Sequence, residues 1–133
     1  MRQTVSVWAG ALLAVSAVAA VAAHHSPSAI FDMSARISVT GTLAKIDWIN
    51  PHIVLTMDAK GSGGAPEHWT FESNPPSWYR SVGLARADFA KFVGQAVTIE
   101  GVRARDRSLF GYMQKITLPD GTSLELINSA DPK

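Results

Sequence analysis

From residue 37 onward the chain alternates apolar and polar positions in short runs, and most of these runs end at Gly, Pro or Asn. Ile37, Val39, Gly41 and Leu43 share one parity, and after a slip of phase Ile46 and Trp48 take the other. A period of two predicts a strand over residues 37–49, bent near Gly41 and ended by Asn50-Pro51. A second strand is expected over 52–58 and, across the Gly-rich connection 60–66, a third over 67–72. Three antiparallel strands in succession make a meander.

The pattern then turns helical. Ser73 or Asn74 can cap an N-terminus, Pro75 or Pro76 suits a first turn, Trp78, Tyr79 and Val82 lie at helical spacing, and Gly83 can close the helix. A shorter turn is expected over 86–92. Two more strands follow over 96–104 and 111–118, with Pro119-Asp120-Gly121-Thr122 turning into a last one over 123–127. The fold class expected is mainly β: a small OB-like antiparallel β-barrel of five to six strands, with one short helix between strands three and four. An open six-stranded barrel and a sandwich have the same ingredients.

Residues 1–23 follow another pattern. One charge, Arg2, precedes an apolar, alanine-rich run with small residues at its end, which reads as a signal peptide. A membrane anchor is the competing reading, since the uncharged stretch is just long enough to span a bilayer, but alanine is weakly apolar for a lipid-facing helix. The organisation expected is a signal peptide over 1–23, an N-terminal arm over 24–35, the β domain over 36–128 and a tail over 129–133. That places the protein in the periplasm or outside the cell, with no stable membrane span after processing.

Composition narrows the chemistry. The chain has 133 residues, no cysteine, and 12 Lys and Arg against 11 Asp and Glu. Loss of Arg2 with the signal peptide brings the side-chain charges into balance, which leaves no basic excess for nucleic acid. Arg103-Ala104-Arg105-Asp106-Arg107 reads as a solvated hairpin. No serine triad, phosphate loop or zinc-protease helix motif appears.

All four histidines, His24, His25, His52 and His68, follow the export segment. Without thiolates, a transition-metal site must draw on imidazole, carboxylate, thioether or backbone nitrogen, which favours Cu(II), Zn or Ni. Cleavage after Ala23 makes His24 the first residue, whose amine and imidazole can chelate one metal while His52 supplies a third nitrogen. That T-shaped arrangement is a histidine brace. Cleavage after Ala22 instead leaves Ala23-His24-His25, where the amine, two amides and the His25 imidazole can surround Cu(II) in a plane. The bland reading of the pair is a solvated terminus.

In Asn50-Pro51-His52 the proline can hold His52 with little entropy loss, as a ligand requires, or simply end a strand. Trp48 can shield the site or belong to the core. His68 and Glu72, four apart on one strand face, can form a hydrogen-bonded pair or add a ligand, or be ordinary solvent-facing residues opposite Trp69 and Phe71, which are not both expected to point inward. Asp32 is a further carboxylate candidate. Met33, Met57 and Met113 read as packing before they read as Cu(I) ligands.

Several pieces together resemble a family of small exported bacterial proteins of unknown function whose mature part starts Ala-His-His-Ser. They are Ala23-His24-His25-Ser26, Phe31-Asp32, Val39-Thr40-Gly41-Thr42, Trp48-Ile49-Asn50-Pro51-His52, Trp69-Thr70-Phe71-Glu72 and Leu118-Pro119-Asp120-Gly121. The sequence departs from that family at Pro27-Ser28-Ala29-Ile30, where an aromatic commonly follows the serine. The resemblance implies a periplasmic OB-like barrel and transfers no activity. The function expected is copper handling or delivery, with His24, His25 and His52 as ligands, Asp32, Trp48, Asn50, His68 and Glu72 around them, and a periplasmic protein as candidate partner. The alternatives are a metal-free module that binds a small molecule, glycan or protein through Trp48, Trp69, Trp78 and Tyr79, and a copper monooxygenase using the same brace.

Overall fold

One strand bonds to two neighbours that lie at opposite ends of it, and the rest of the fold is arranged around that strand. A computed structural model describes residues 26–126. The elements are α1 (Pro27–Ile30), β1 (Phe31–Asp47), β2 (Val54–Lys60), β3 (Pro66–Glu72), α2 (Pro76–Ser81), α3 (Arg86–Ala90), β4 (Ala96–Ala104), β5 (Phe110–Thr117) and β6 (Ser123–Glu125). The expected signal peptide, His24, His25 and the C-terminal tail lie outside the described residues.

The first part of β1 pairs with β4, from Phe31 opposite Ala104 to Thr42 opposite Ala96. Its last part pairs with β2, from Gly41 opposite Ala59 to Asp47 opposite Val54. The strand serves both because it bends: the register shifts between Leu43 and Lys45, which is the phase slip visible in the sequence. At Gly41 a Cβ would overlap the Asp58 carbonyl oxygen, so only glycine lets β2 approach there.

The strands run in the order β3-β2-β1-β4-β5-β6, and a parallel pairing of β3 with β5 closes them in a ring. This is the expected OB-like connectivity, with β6 appended to β5 and helices between β3 and β4. Two short helices stand there, α2 and α3, where one was expected. The interior holds Leu43, Leu55, Met57, Phe71, Ile99, Met113 and Ile116, all buried.

Four details depart from the sequence reading. First, β1 begins at Phe31, inside the stretch taken as an arm. Phe31 is fully buried in a second cluster with Val102, Ala104 and Tyr112. A register shift between Phe31 and Arg36 breaks the alternation there, so a period-two scan starts late. Second, Trp69 and Phe71 both point inward, stacked with ring centroids 5.6 Å apart, because residues two apart share a strand face.

Third, neither Ser73 nor Asn74 caps α2. The cap position is Pro75, without a side-chain bond. The C-terminus does follow expectation: Gly83, at φ 78°, donates to the Arg80 carbonyl at 3.1 Å while Leu84 donates to that of Tyr79 at 2.9 Å. Fourth, the segment preceding β1 is a helical turn fastened to the β4–β5 hairpin. The Arg105 amide donates to the Ile30 carbonyl at 2.9 Å, and Arg105 Nε donates to that of Ser28 at 2.9 Å.

Candidate functional site

Residues 48–53 connect β1 to β2, and packing holds both ends of the connection. The Trp48 ring lies 5.2 Å from that of Tyr79 and 6.0 Å from that of Phe89, and Ile53 is buried. Trp48 thus belongs to the edge of the core. Ile46, Trp48, Ile53, Leu55, Tyr79 and Phe89 line an apolar seam that leaves no room for a water. Between the packed ends, the Asn50–Pro51 peptide is cis, and Ile49, Asn50 and Pro51 are exposed.

His52 is half-buried, with Nδ1 3.0 Å from the Ser73 carbonyl oxygen. A carbonyl only accepts, so Nδ1–H donates, and in the neutral ring the lone pair then sits on Nε2. Among the described residues no partner bonds Nε2. Ser73 and Asn74, the residues behind this carbonyl, are buried, and both side chains are engaged. The Ser73 hydroxyl bonds that of Tyr79, and the Tyr112 hydroxyl donates to Asn74 Oδ1 at 2.9 Å. Burial pushes the Tyr79 phenol well above its usual pKa and the Ser73 hydrogen bond opposes it, so the hydroxyl stays neutral.

Sequence reasoning missed this polar group because Ser-Asn before a helix reads as a cap. The available signal was Pro75-Pro76: with prolines at the cap and the first helical position, Asn74 stands one step and Ser73 two steps too early to cap anything.

The other candidates are placed elsewhere. His68 is exposed, and its partner is Asp58, with Nδ1 2.6 Å from Oδ1, not Glu72. Asp58 stands directly across from His68 in the β2–β3 ladder, whereas Glu72, four residues along the strand, is about 13 Å away. Asn50 is exposed in the connection, and Glu72 is half-buried at the end of β3. Met57 and Met113 are fully buried core residues, and Met33 packs against the Phe31 cluster. Trp69 and Tyr79 are buried, while Trp78 is half-buried with its ring edge-on to Tyr79 at 5.0 Å. Among the described residues no three His, Cys, Asp or Glu side chains converge on one point.

Asp32 turns to its own strand. Its Oδ1 accepts from the Ser34 hydroxyl at 2.6 Å and the Ser34 amide at 3.1 Å, and Arg107 lies 3.6 Å from Oδ2. The Ser34 hydroxyl first, then its amide, with Arg107 adding to them, holds the carboxyl below its ordinary pKa of 3.8. A depressed folded-state pKa gives stability that is complete above the unfolded value and lost as the pH falls through the folded one. The difference in thermal stability between wild type and Asp32→Asn is therefore expected to be full at neutral pH and to close below about pH 4. Asp106 and Asp120, held down in the same way by Ser108 and Thr122, keep titrating in the variant.

No helix among the described residues is long and apolar enough to cross a membrane. No curated protein matches the chain. The sequence model of a family of unknown function (DUF6152) matches residues 11–113, which takes in the helical turn, β1 to β4, the His52 connection and half of β5, and the chain belongs to that family.

Proposed function

We propose that this is an exported copper-binding protein, for handling or delivery of the metal, in which the amine and imidazole of His24 and Nε2 of His52 hold Cu(II), with His25 as a third or alternative ligand. The observation that carries the reading is the bond from His52 Nδ1–H to the Ser73 carbonyl. Metal-binding histidines commonly donate their other ring N–H to a carbonyl or carboxylate, which fixes the tautomer and raises the basicity of the ligating nitrogen. Half-burial limits the rotamer entropy the ring would lose on binding.

A connected path of contacts adds support. Phe31, at the root of the segment that carries His24, has its ring 5.5 Å from that of Tyr112, and Tyr112 bonds Asn74 beside the Ser73 carbonyl. The rival reading, a metal-free aromatic platform, loses two of its four aromatics, Trp69 and Tyr79, to the core.

Intact mass and Cu(II) titration of the exported, processed protein test the proposal. The expected result is a mass beginning at His24 and one tightly bound copper that is lost in His52→Ala. A mass beginning at Ala23, or copper binding that is weak and indifferent to His52, would overturn it and return the function to a peptide-like terminal chelate or to the metal-free module.

A further inference from the structure

The β2–β3 ladder does not end regularly. Val54 faces Glu72 in register, so Ile53 faces Ser73. The Ser73 amide does donate to the Ile53 carbonyl, at 2.9 Å. In a regular antiparallel pair that bond is reciprocated, residue for residue, by the Ile53 amide donating to the Ser73 carbonyl. Here the Ile53 amide goes instead to the carbonyl of Asn74, at 3.3 Å. The ladder slips by one residue on one strand, and the Ser73 carbonyl that the slip releases is the one His52 Nδ1 takes.

Something must hold Asn74 in the slipped position. Its side chain is buried, and Oδ1 accepts from the Tyr112 hydroxyl of β5, across the seam where β3 and β5 close the ring. A buried polar pair adds little net stability over an apolar pair of the same shape, and what it adds reliably is a fixed geometry. The geometry it fixes here is the offset of Asn74 against Ile53.

We propose that Asn74 and Tyr112 are positioning residues for His52: their hydrogen bond keeps the ladder slipped, and the slip presents the Ser73 carbonyl that selects the Nδ1–H tautomer of His52. The tautomer selection is a property of the metal-free protein. Its bearing on a metal rests on the copper reading above.

The test is the His52 tautomer, read by nitrogen-15 NMR of the metal-free protein at about pH 8, where an ordinary histidine is neutral. Wild type should show one tautomer, protonated at Nδ1. Tyr112→Phe removes only the hydroxyl and keeps the ring against Phe31, and Asn74→Ala breaks the same bond from the other end. Both should give a mixture with the Nε2–H form, and the double variant should be no worse than either. Ser73→Ala is the control. It removes the Tyr79 hydrogen bond but leaves the carbonyl in place, so it should lower stability without changing the tautomer.

An unchanged Nδ1–H tautomer in folded Tyr112→Phe or Asn74→Ala overturns the inference, and so does a change in Ser73→Ala as large as theirs. Cu(II) titration of the same proteins separates the two proposals. If copper binds through His52, its affinity should fall in Tyr112→Phe in proportion to the Nδ1–H population lost, about 2-fold for an even mixture. A tautomer that responds as expected in a protein without His52-dependent copper binding would uphold the positioning role and overturn the copper reading alone.

Discussion

Alanine at Gly101 is expected to destabilise the protein by about 3 kcal/mol, seen as a lower urea midpoint with an unchanged slope. Gly101 is buried where the β4–β5 register shifts, between Glu100 and Gly101. A Cβ there would overlap the Tyr112 carbonyl oxygen, with the Tyr112 carbonyl carbon at 3.0 Å and the Met113 Cα at 3.3 Å. All three are backbone atoms, so no side-chain rotation relieves the clash. The strands must part, and ladder hydrogen bonds lengthen on a segment that also carries the Tyr112 hydroxyl to Asn74. Gly64→Ala is the informative contrast. Nothing lies within 4 Å of a Cβ at Gly64, and the only penalty is its φ of +84°, which costs a non-glycine residue about 1 kcal/mol. Equal losses at the two sites would show that close strand approach is not what Gly101 provides.

The legible part of the fold was the part written in local periodicity. Alternation located β2 to β5 to within a few residues, and the phase slip after Leu43 marked a real bulge. Element order then led to the OB-like connectivity, because a meander, helices and a returning pair have few ways to close. What was lost lay in positions where one signal has two causes. The start of β1 was hidden because its register shift breaks the alternation before Arg36. Ser73 and Asn74 read as caps because their side chains suit a helix start and a buried hydrogen bond equally well, and only Tyr79 and Tyr112 distinguish the two uses.

The candidate site was legible as residue types and illegible as partnerships. His52 stood out through Asn50-Pro51, which are exposed, and it is itself half-buried between them and the buried Ile53. The carbonyl that orients it belongs to a residue 21 positions away, and no spacing rule reaches that far. His68 shows the converse. Its neighbour in sequence pattern was Glu72, but its neighbour in space is Asp58, because strands bring residues together across the ladder more closely than along it. Asp32 was chosen for nearness to the terminus, yet its carboxylate is engaged by Ser34 two residues on.

Phe71→Ala should cost about 4 kcal/mol, and Gly111→Ala introduced into that variant should cost far less than it does alone. Phe71 is fully buried, stacked on Trp69, and lies on β3 opposite Gly111 of β5, at the parallel pairing that closes the ring. A Cβ at Gly111 would stand 2.7 Å from Phe71 Cε1, 2.9 Å from Cδ1 and 3.0 Å from Ile37 Cδ1. The Trp69 stack pins the phenyl ring, so in the wild-type background Gly111→Ala forces the closing strands apart at a cost of about 2 kcal/mol. Gly111 does not have a positive φ, so its backbone accepts alanine. The obstacle is the ring opposite. With Phe71 cut back to alanine, two of the three contacts vanish and the third is the mobile end of Ile37, so the added methyl enters space that the first substitution opened. Four urea unfolding curves decide it. A coupling of about 2 kcal/mol between the two sites is the expected result. Strictly additive losses would mean that the glycine is required by the backbone of β5 itself, and that the ring closes without depending on the fit between Phe71 and Gly111.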